Sequence, residues 1–588
     1  MNCPLLCRSG RTIASVNSPI RSIDDFDSPS ATLADSLAAL SSVDDRGVRF
    51  DEEFIPWSQV VRRANGRIDC FRRWEGADAS SGSVGEGPRP PHIGILLDNS
   101  PEFVFWLCAA ASSELVAVGL NDTRAPRALA ADLATADVRA VVYDAGHADL
   151  ARELARHTAV PVIPEAEFTG DPANTASDVM GDGSAPGEVG AAWSDGEALV
   201  ALIFTSGTSG DPKAVRVTQR KISVPARMLA DRFEIGPRDC IYNAMPMFHS
   251  NAVLVAWPMA LVAGCDLALR RRFSASGWLG DVRRFRATFA NYVGTPLSYI
   301  LASDARRDDA DNPVRIVYGN EAGAAVREAF AARFGVRVVD GFGSTEGGVA
   351  ISRTPDTPAA ALGPLPPDVL VVDPETDAPR EAARFTDDGG LANPQQAVGE
   401  LVREGPGLFA GYYGNPAADA ERMRGGLFRT GDLAYVDAAG FVYFAGRAAT
   451  WMRVAGENLA ASPIERILSR HPQVAEVAVF GIPATPKPGD DVVAAIVLAV
   501  DAHNSGAEED FAAGLGAFLA AQRDLSPRQW PRLLRITAEL PRTPSFKVRA
   551  PLLAARGRTP GEDALFRRVD DTGSGHGGAA APRYERLP

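Results

Sequence analysis

The chain has 588 residues, of which 46% are hydrophobic and 23% are charged, a composition that indicates a folded protein with more than one core. Its formal net charge of −14 argues against nucleic acid as the main partner. The six cysteines form no C-x-x-C pair, and no apolar run reaches the roughly 20 residues of a membrane span. We therefore expect a cytoplasmic protein without a disulfide framework.

The first part of the chain predicts a parallel sheet. After a polar, patternless start, "HIGILLDN" is typical of a buried strand, and "SPEFVFWLCAAASS" of a helix with Ser100 as N-cap and Pro101 in its first turn. The segments "LVAVGLND", "RALAADLATAD" and "VRAVVYD" continue as strand, helix and strand. Strands that alternate with helices indicate parallel pairing with helical crossovers.

The rest of the chain predicts further domains. A low-complexity stretch, Phe168 to Gly196, precedes the short apolar run "ALVALIF", which fits a buried strand. The segments "GELVREGPGLFAGYY" and "GFVYFAGR" indicate short β elements, and an α+β pattern follows Arg447. The predicted fold class is α/β, with a large N-terminal domain of α/β subdomains with parallel sheets plus a β-rich subdomain, and a smaller mobile C-terminal α+β domain. The predicted boundaries are 1–30 (flexible extension), 31–446 (large domain), 447–450 (hinge), 451–557 (small domain) and 558–588 (disordered tail).

A loop rich in hydroxyl and glycine residues, "FTSGTSGDPKAV" (Phe204 to Val215), follows the predicted strand. Gly207 and Gly210 permit tight turns and close approach of a ligand, while the hydroxyl groups and Lys213 supply donors and charge. Such a loop suits a polyphosphate, although its spacing is not that of a Walker loop. Taken alone, the run also fits a flexible surface turn.

The loop and six later segments together resemble one family. "TSGTSGDPKAV" resembles the phosphate-binding signature of the acyl-adenylate-forming (AMP-binding) superfamily, and the resemblance covers roughly Thr32 to Arg556. The other matching segments, in chain order, are "PMFHSNA", "YGNEAG", "DGFGSTEGG", "RTGDLA", "GRAATWMRVAGENLA" and "PRTPSFKV". Within the superfamily the chain looks most similar to the very-long-chain acyl-CoA synthetase and fatty-acid transport protein branch, and to actinobacterial long-chain fatty-acid–CoA ligases.

The resemblance implies a reaction in two halves. A carboxylate attacks the α-phosphorus of ATP to give acyl-AMP and pyrophosphate, and the thiol of coenzyme A then displaces AMP. The implied cofactors are ATP, Mg²⁺ and coenzyme A, and the implied acid is a fatty acid or a sterol side-chain acid. The resemblance leaves peripheral membrane contact open.

The resemblance also assigns residues to the adenylation chemistry. It implies that Lys547 contacts carboxylate and phosphate, that Thr345 donates to the α-phosphate, and that Glu346 holds Mg²⁺. Each has another interpretation: a surface lysine for Lys547, and a helix start for "STE". The residues implied to bind ATP and AMP are Thr205, Ser206, Gly207, Thr208, Ser209, Gly210, Lys213, Glu321, Ala322, Asp340, Gly341, Phe342, Thr345, Asp432, Arg447 and Lys547.

Three further groups of residues follow from the resemblance. The acyl pocket is assigned to His249, Asn251, Gly294 and Gly343, with the apolar stretch after Asn251 as its wall, although such a stretch is also typical of a core. Gly456, Glu457 and Asn458 are assigned to access of the coenzyme A thiol. The hinge is assigned to Ala449, where the family usually has Asp or Lys.

The sequence leaves other functions open. An adenylation domain of a peptide synthetase is disfavoured, because no carrier domain follows. A fatty-acyl-AMP ligase that stops at the adenylate, and an inactive nucleotide-binding homologue, are the two alternatives. The arginine run 270–272 fits a solvated corner slightly better than contact with the phosphates of coenzyme A.

Overall fold

The computed structural model describes most of the chain. The described residues are 32–78, 90–168, 195–205, 212–386, 390–447, 452–454, 457–459, 461–484, 489–499, 506–522, 525, 527–542, 548–569 and 581–588. The predicted extension 1–30, residues 448–450 of the predicted hinge 447–450 and most of the low-complexity stretch lie outside these ranges.

The described strands are numbered β1 to β27 in chain order. They are β1 (Gly47–Phe50), β2 (Glu53–Pro56), β3 (His92–Leu96), β4 (Val116–Gly119), β5 (Val138–Tyr143), β6 (Val162–Pro164), β7 (Leu199–Thr205), β8 (Lys213–Thr218), β9 (Cys240–Asn243), β10 (Asp266–Leu269), β11 (Phe289–Val293), β12 (Ile316–Asn320), β13 (Arg337–Gly343), β14 (Ala350–Ser352), β15 (Gly363–Pro364), β16 (Val369–Val372), β17 (Gly399–Glu404), β18 (Met423–Arg424), β19 (Leu427–Val436), β20 (Phe441–Arg447), β21 (Met452–Val454), β22 (Glu457–Leu459), β23 (Val474–Pro483), β24 (Asp490–Leu498), β25 (Leu533–Ile536), β26 (Ala564–Val569) and β27 (Arg583–Arg586).

The described helices connect and cover these strands. The α-helices are Leu33–Leu40, Trp57–Asp78, Pro101–Ala111, Pro126–Thr135, Ala148–Leu154, Gln219–Arg232, Trp257–Ala263, Trp278–Phe285, Pro296–Leu301, Ala324–Phe334, Pro394–Ala397, Pro416–Arg422, Ala461–Leu468, Ala507–Ala521 and Ala550–Ala555. A π-helical turn spans Ala252–Ala256, and short 3₁₀ turns span Ala145–His147, Glu165–Glu167 and Pro527–Gln529. Within the described ranges, no helix is both long and apolar enough to cross a membrane.

Two mainly parallel sheets form the large domain. One has the order β6-β5-β3-β4-β7-β8 and is parallel except for the β7–β8 pair. The other has the order β14-β13-β12-β11-β9-β10-β1-β2 and is parallel from β13 to β1. The parallel pairing predicted from the alternating pattern is confirmed, and Ser100 caps the helix Pro101–Ala111 as predicted.

The two parallel sheets share one hydrophobic core. Ile93 of β3 and Ile241 of β9 belong to the same buried cluster, together with Trp106 and Trp257. All four side chains are fully buried. This common core fixes the carboxyl ends of both sets of strands relative to each other, and those ends carry many of the predicted site residues.

A β-rich subdomain and a smaller domain complete the fold, as predicted. The antiparallel sheet β15-β20-β19-β17-β16, with β18 paired to β19, forms the β-rich part. The C-terminal part contains the hairpin β21–β22 and the sheet β23-β24-β25-β26-β27. Buried residues of the helices Ala461–Leu468 and Ala507–Ala521 pack on this second sheet.

The predicted disordered tail over 558–588 is wrong for its described parts. β26 pairs with β25, and β27 pairs with β26, so both belong to the sheet of the small domain. Tyr584 on β27 is buried in the domain's core, and its hydroxyl donates to the carbonyl of Pro531 at 2.9 Å. The glycine-rich sequence 570–580 favoured the prediction of disorder, but the short strand after it carries Tyr584, which is buried in the core.

Candidate active site

The ends of the glycine-rich loop are held together by a hairpin. Thr205 ends β7 and Lys213 begins β8, and the two residues are direct partners in antiparallel register. The Thr205 hydroxyl donates to the Lys213 carbonyl at 3.4 Å. Ser206, Gly207, Thr208, Ser209 and Gly210 lie between them, outside the described residues. The hairpin therefore fixes where the predicted phosphate loop starts and ends.

Lys213 lies beside a segment that extends the sheet at its edge. The Arg216 amide donates to the Gly411 carbonyl and the Tyr413 amide donates to the Ala214 carbonyl, at 3.0 and 2.8 Å. This pairing places the Tyr412 ring under Lys213, whose Nζ lies 5.2 Å from the ring centroid. Tyr412 is thereby paired with Val215 of β8, the strand that follows the loop.

Glu346 is a buried carboxylate in the turn between β13 and β14. The Tyr412 hydroxyl donates to its Oε1 at 3.0 Å, and Arg422 Nη2 lies 3.8 Å away. Burial alone would raise the pKa of this carboxyl, but the Arg422 charge, hydrogen bonds from its own backbone segment and the Tyr412 hydroxyl lower the pKa overall. Glu346 is therefore an ionised side chain at neutral pH.

The chemistry of this turn fits Mg²⁺. Mg²⁺ prefers oxygen ligands and is usually held by one or two carboxylates together with substrate phosphates. The described residues contain no cluster of three or more His, Cys, Asp or Glu side chains suited to a metal, and the role of Glu346 as a single carboxylate ligand stays a prediction. Thr345 precedes it in the same turn. The alternative that "STE" starts a helix is wrong, because β14 follows the turn directly.

The predicted adenine segments meet at the carboxyl edge of β12 and β13. The Ala322 amide donates to Asp340 Oδ1 at 3.2 Å, and the Tyr292 hydroxyl also bonds to that carboxylate. Burial raises the pKa of Asp340 above its ordinary value. Glu321, which follows β12, has a positive φ of 69°. The structure thus brings three of the predicted pocket residues into one cluster.

Gly341 and Phe342 continue this edge on β13. A Cβ at Gly341 would lie 2.8 Å from the Tyr318 hydroxyl, which explains why the position has no side chain. The Phe342 ring is partly buried, with its centroid 6.1 Å from that of Phe444. Its predicted stacking on adenine stays a prediction.

The predicted ribose segment lies on β19. Asp432 is 7% exposed and is opposite Arg447 of β20 in backbone register. The Thr430 hydroxyl donates to the Leu401 carbonyl at 2.6 Å and accepts from the Asp432 amide at 3.0 Å. These bonds fix the backbone of the turn that carries Asp432. The side chain of Arg447 lies outside the described residues.

The predicted acyl-pocket residues gather at the end of β11. Asn251 is buried, donates to the Tyr292 carbonyl at 3.1 Å and accepts from Asn291 at 2.6 Å. Gly294 has a positive φ of 60°, and its amide donates to the Asn320 carbonyl at 2.7 Å. A π-helical turn and the helix Trp257–Ala263 follow Asn251, and their buried residues belong to the core shared by the two sheets, so the role of this stretch as a pocket wall stays a prediction.

Two predicted pocket residues lie at the margin of this group. His249 is half-buried, and its ring Nδ1 accepts from the Asn251 amide at 3.4 Å. Gly343 is the last residue of β13, opposite Ala350. Both lie where the resemblance puts the head of the acyl pocket, and their roles stay predictions.

Several predicted residues fall outside the described part of the chain. Lys547, Ala449 and Gly456 are among them. Glu457 and Asn458 belong to β22 by their backbone, and their side chains lie outside the description. Their predicted roles in adenylation, hinge motion and thiol access therefore stay predictions.

The arginine run 270–272 forms ion pairs in the structure. Arg270 pairs with Asp281 at 3.4 Å, while Arg271 and Arg272 both lie near Asp98, at 3.6 and 3.2 Å. These ion pairs are compatible with the predicted solvated corner, and contact with the phosphates of coenzyme A stays untested. They also explain how three adjacent cations are accommodated at one site.

Sequence reasoning missed Tyr412, Arg422 and Tyr292. Arg422 donates through Nε to the Tyr412 hydroxyl at 2.9 Å and through Nη1 to the carbonyls of Arg429 and Thr430, each at 2.9 Å. Tyr412 and Arg422 both lie beside Glu346, and Tyr292 bonds to Asp340. These partners are far apart in the chain, so no local motif could have revealed the three residues.

Comparisons with known proteins identify relatives over nearly the whole chain. A family model described as AMP-binding enzyme matches residues 83–413, and one described as AMP-binding enzyme C-terminal domain matches residues 463–547. The chain is 46% identical to the medium/long-chain-fatty-acid–CoA ligase FadD17 of Mycobacterium marinum, over 90% of this chain and 96% of the relative. It is 40% identical to the steroid-22-oyl-CoA synthetase of Rhodococcus jostii, over 92% and 93% of the two chains.

Solved structures share the fold at lower identity. The anthranilate CoA ligase AuaEII, in complex with anthranoyl-AMP, superposes with a TM-score of 0.74 at 18% identity, over 91% of this chain and 98% of the other. ATP-bound MatB from Rhodopseudomonas palustris superposes with a TM-score of 0.71 at 23% identity, over 90% and 98%. These likenesses extend over both the large and the small domain.

Proposed function

This chain belongs to the family of AMP-binding enzymes, and we propose that it joins a long hydrophobic carboxylic acid to coenzyme A in an ATP-dependent reaction that releases AMP. It is a ligase of the long-chain fatty-acid–CoA type, with 46% identity to FadD17 over 90% of its length. ATP, Mg²⁺ and coenzyme A are its cofactors. We propose that it acts in the cytoplasm.

One structural observation supports the proposal most strongly. The ionised carboxylate of Glu346, the end of the phosphate-loop hairpin at Lys213 and the turn that carries Asp432 are joined through Tyr412 and Arg422. A metal carboxylate, a phosphate loop and a ribose acceptor are the three parts that an adenylating site needs close together.

The proposed chemistry assigns a task to each part. The loop amides and Lys213 hold the phosphates, and Asp432 accepts from the ribose hydroxyls. Glu346 holds Mg²⁺, which neutralises phosphate charge when it is bound. Lys547 brings its ammonium group between the acid carboxylate and the α-phosphate, where two anions would otherwise repel each other.

Two kinds of acid fit this proposal. The similarity to FadD17 favours a medium- or long-chain fatty acid, whereas the similarity to the steroid-22-oyl-CoA synthetase favours a steroid with a carboxylated side chain. In this proposal the acyl group lies beside the apolar segment that follows Asn251, where Leu254 and Val255 are only partly buried.

A panel of acids tests the proposal. Purified protein is given ATP, Mg²⁺ and either fatty acids from medium to very long chain or a steroid acid, and AMP and thioester are measured with and without coenzyme A. Equal release of AMP and thioester with one acid class supports the proposal and names the substrate. The isosteric variant Glu346→Gln serves as the low-activity control.

Other outcomes contradict the proposal. Stable acyl-AMP without thioester, even with coenzyme A present, would make the protein an acyl-AMP ligase. Binding of ATP without turnover of any acid would make it an inactive nucleotide-binding homologue.

A further inference from the structure

Arg422, Tyr412 and Glu346 form a chain of hydrogen bonds in which each donor is followed by its acceptor. Arg422 Nε donates to the Tyr412 oxygen, and because that oxygen already accepts, the Tyr412 hydroxyl hydrogen is directed to Glu346 Oε1. The two distances are 2.9 and 3.0 Å. A guanidinium that polarises a hydroxyl strengthens the bond that this hydroxyl gives to a carboxylate. One oxygen of Glu346 is thereby occupied and oriented.

Arg422 is itself held by the turn that carries Asp432, residues 429–432, which we call the ribose turn. Its Nη1 donates to the carbonyls of Arg429 and Thr430, three and two residues before Asp432. Arg429 in turn donates to Glu400 at 2.8 Å, and the Gly431 amide donates to the same carboxylate at 3.1 Å. A shift of this turn would therefore move Arg422 and, through it, the Tyr412 hydroxyl.

Tyr412 is held in place by its backbone and by its ring. Its amide donates to Asp419 Oδ1 at 2.7 Å, and the residue faces Val215 in an antiparallel bridge. The ring packs against Phe409, which in turn packs against Phe428, and Tyr412 is 2% exposed. A side chain restrained on this many sides keeps its hydroxyl in one position.

We propose that Tyr412 and Arg422 are positioning residues that aim Glu346 at the metal ion and couple its orientation to the ribose turn. The proposal rests on the proposed function, because it takes Glu346 as the Mg²⁺ ligand. Bonds from Tyr412 and Ser344 hold the carboxylate in one orientation, in which it would offer an oxygen to the ion. Binding of the nucleoside at Asp432 then favours the orientation of Glu346 that holds the metal.

The test measures metal affinity directly. Mn²⁺ replaces Mg²⁺, and its binding to the full-length protein with a non-hydrolysable ATP analogue is followed by electron paramagnetic resonance. Tyr412→Phe removes only the hydroxyl, and we expect it to weaken Mn²⁺ binding about tenfold, which corresponds to the loss of one hydrogen bond to a charged group. The Michaelis constant for the acid and the rate of thioester formation from supplied acyl-AMP should stay unchanged.

The adjacent tyrosine provides a matched control. The Tyr413 hydroxyl also donates to a carboxylate, that of Asp137 at 2.9 Å, but this pair lies away from Glu346. Tyr413→Phe should therefore leave Mn²⁺ affinity unchanged. If the two Phe variants weakened Mn²⁺ binding equally, or if neither did, the proposal would be overturned.

A double-mutant cycle tests the coupling to Arg422. Arg422→Lys keeps the charge but cannot donate to Tyr412 and to both carbonyls at once. If the two residues act in series, Tyr412→Phe and the double variant with Arg422→Lys should weaken Mn²⁺ binding by the same factor. Additive effects would mean that Arg422 acts independently of Tyr412 and would contradict the proposal.

Glu346→Gln separates this proposal from the assignment on which it rests. If Glu346→Gln weakens Mn²⁺ binding and Tyr412→Phe does not, the metal ligand is correct and the positioning role is wrong. If Glu346→Gln itself leaves Mn²⁺ affinity unchanged, the assignment of the metal ligand is wrong, and the positioning role fails with it.

Discussion

A single side chain, Glu346, shows how the protein keeps a charge in its interior. It is 8% exposed, and burial by itself would favour its neutral form. Arg422, Tyr412 and backbone groups compensate, so its pKa is lowered overall. A group prepared in this way binds a cation without first losing a proton, which is what the proposed adenylation requires at neutral pH.

His147 is a second residue whose surroundings set its charge. Asp122 and Asp144, at 3.5 and 2.6 Å, raise its pKa from 6.5 to about 9, and Asp98 lies nearby. The pKa is higher in the folded chain, so the protonated His147 stabilises the fold fully below pH 6.5, and this contribution is lost as pH rises through about 9.

We predict that His147→Gln lowers the free energy of unfolding by roughly 1–3 kcal/mol below pH 6.5 and by little above pH 9. Urea unfolding of both proteins across this pH range measures the difference. The exposed His157 offers a control, since His157→Gln should change stability little at any pH. A His147→Gln effect of the same size at every pH would show that the pair with Asp144 is not the cause.

At the scale of elements, the small domain includes a strand that lies late in the chain. β27 completes the sheet, and Tyr584 is its buried anchor. We predict that Tyr584→Ala destabilises the protein by about 3 kcal/mol, as for other large-to-small core changes, and that Tyr584→Phe costs about 1 kcal/mol. Denaturant unfolding followed by circular dichroism checks both values, and wild-type stability of Tyr584→Ala would contradict this packing.

The connection between the domains gives another prediction at this scale. Ala449 lies in the predicted hinge, and proline there would fix φ in the segment that we propose to turn. We predict that Ala449→Pro slows thioester formation more than adenylation, because we propose that only the second step requires a rotation of the small domain. Single-turnover measurement of each half-reaction decides this. Wild-type rates in both would place the rotation at another residue.

The helices and strands also show which parts of the fold could be predicted from the sequence. The helix Pro101–Ala111 and the strands β3, β4 and β5 follow from local patterns of capping and hydrophobicity, and they were predicted correctly. β27 was missed because Tyr584 is the one apolar residue of this four-residue strand, which follows a glycine-rich segment. Tyr412 was recognised only as part of a β element, because its contact with Glu346 joins residues that are 66 positions apart.

At the scale of the whole molecule, the two domains are expected to serve two half-reactions. The family comparison covers both, with separate matches to residues 83–413 and 463–547. The residues predicted to bind the nucleotide lie mainly in the large domain, whereas Lys547 and the predicted thiol-access segment belong to the C-terminal part. The proposed reaction therefore requires the small domain to bring Lys547 to the bound nucleotide in the first step and the thiol-access segment to it in the second.

We predict that Lys547→Ala slows acyl-AMP formation by about 10²–10³, the usual loss when one preorganised donor to a developing charge is removed. Thioester formation from supplied acyl-AMP should proceed at the wild-type rate, because this lysine serves only the first step. Rapid-quench measurement of the two half-reactions separates them. An equal loss in both would show that Lys547 does not act on the carboxylate and phosphate.

The path of the carboxylate oxygen tests the proposed reaction most directly. If the acid attacks the α-phosphorus and the thiol then attacks the carbonyl, one carboxylate oxygen must leave with AMP. Acid labelled with ¹⁸O in its carboxylate is converted with ATP, Mg²⁺ and coenzyme A, and the products are examined by mass spectrometry. The proposed reaction predicts one labelled oxygen in AMP and none in pyrophosphate. Unlabelled AMP, or label in pyrophosphate or inorganic phosphate, would contradict it.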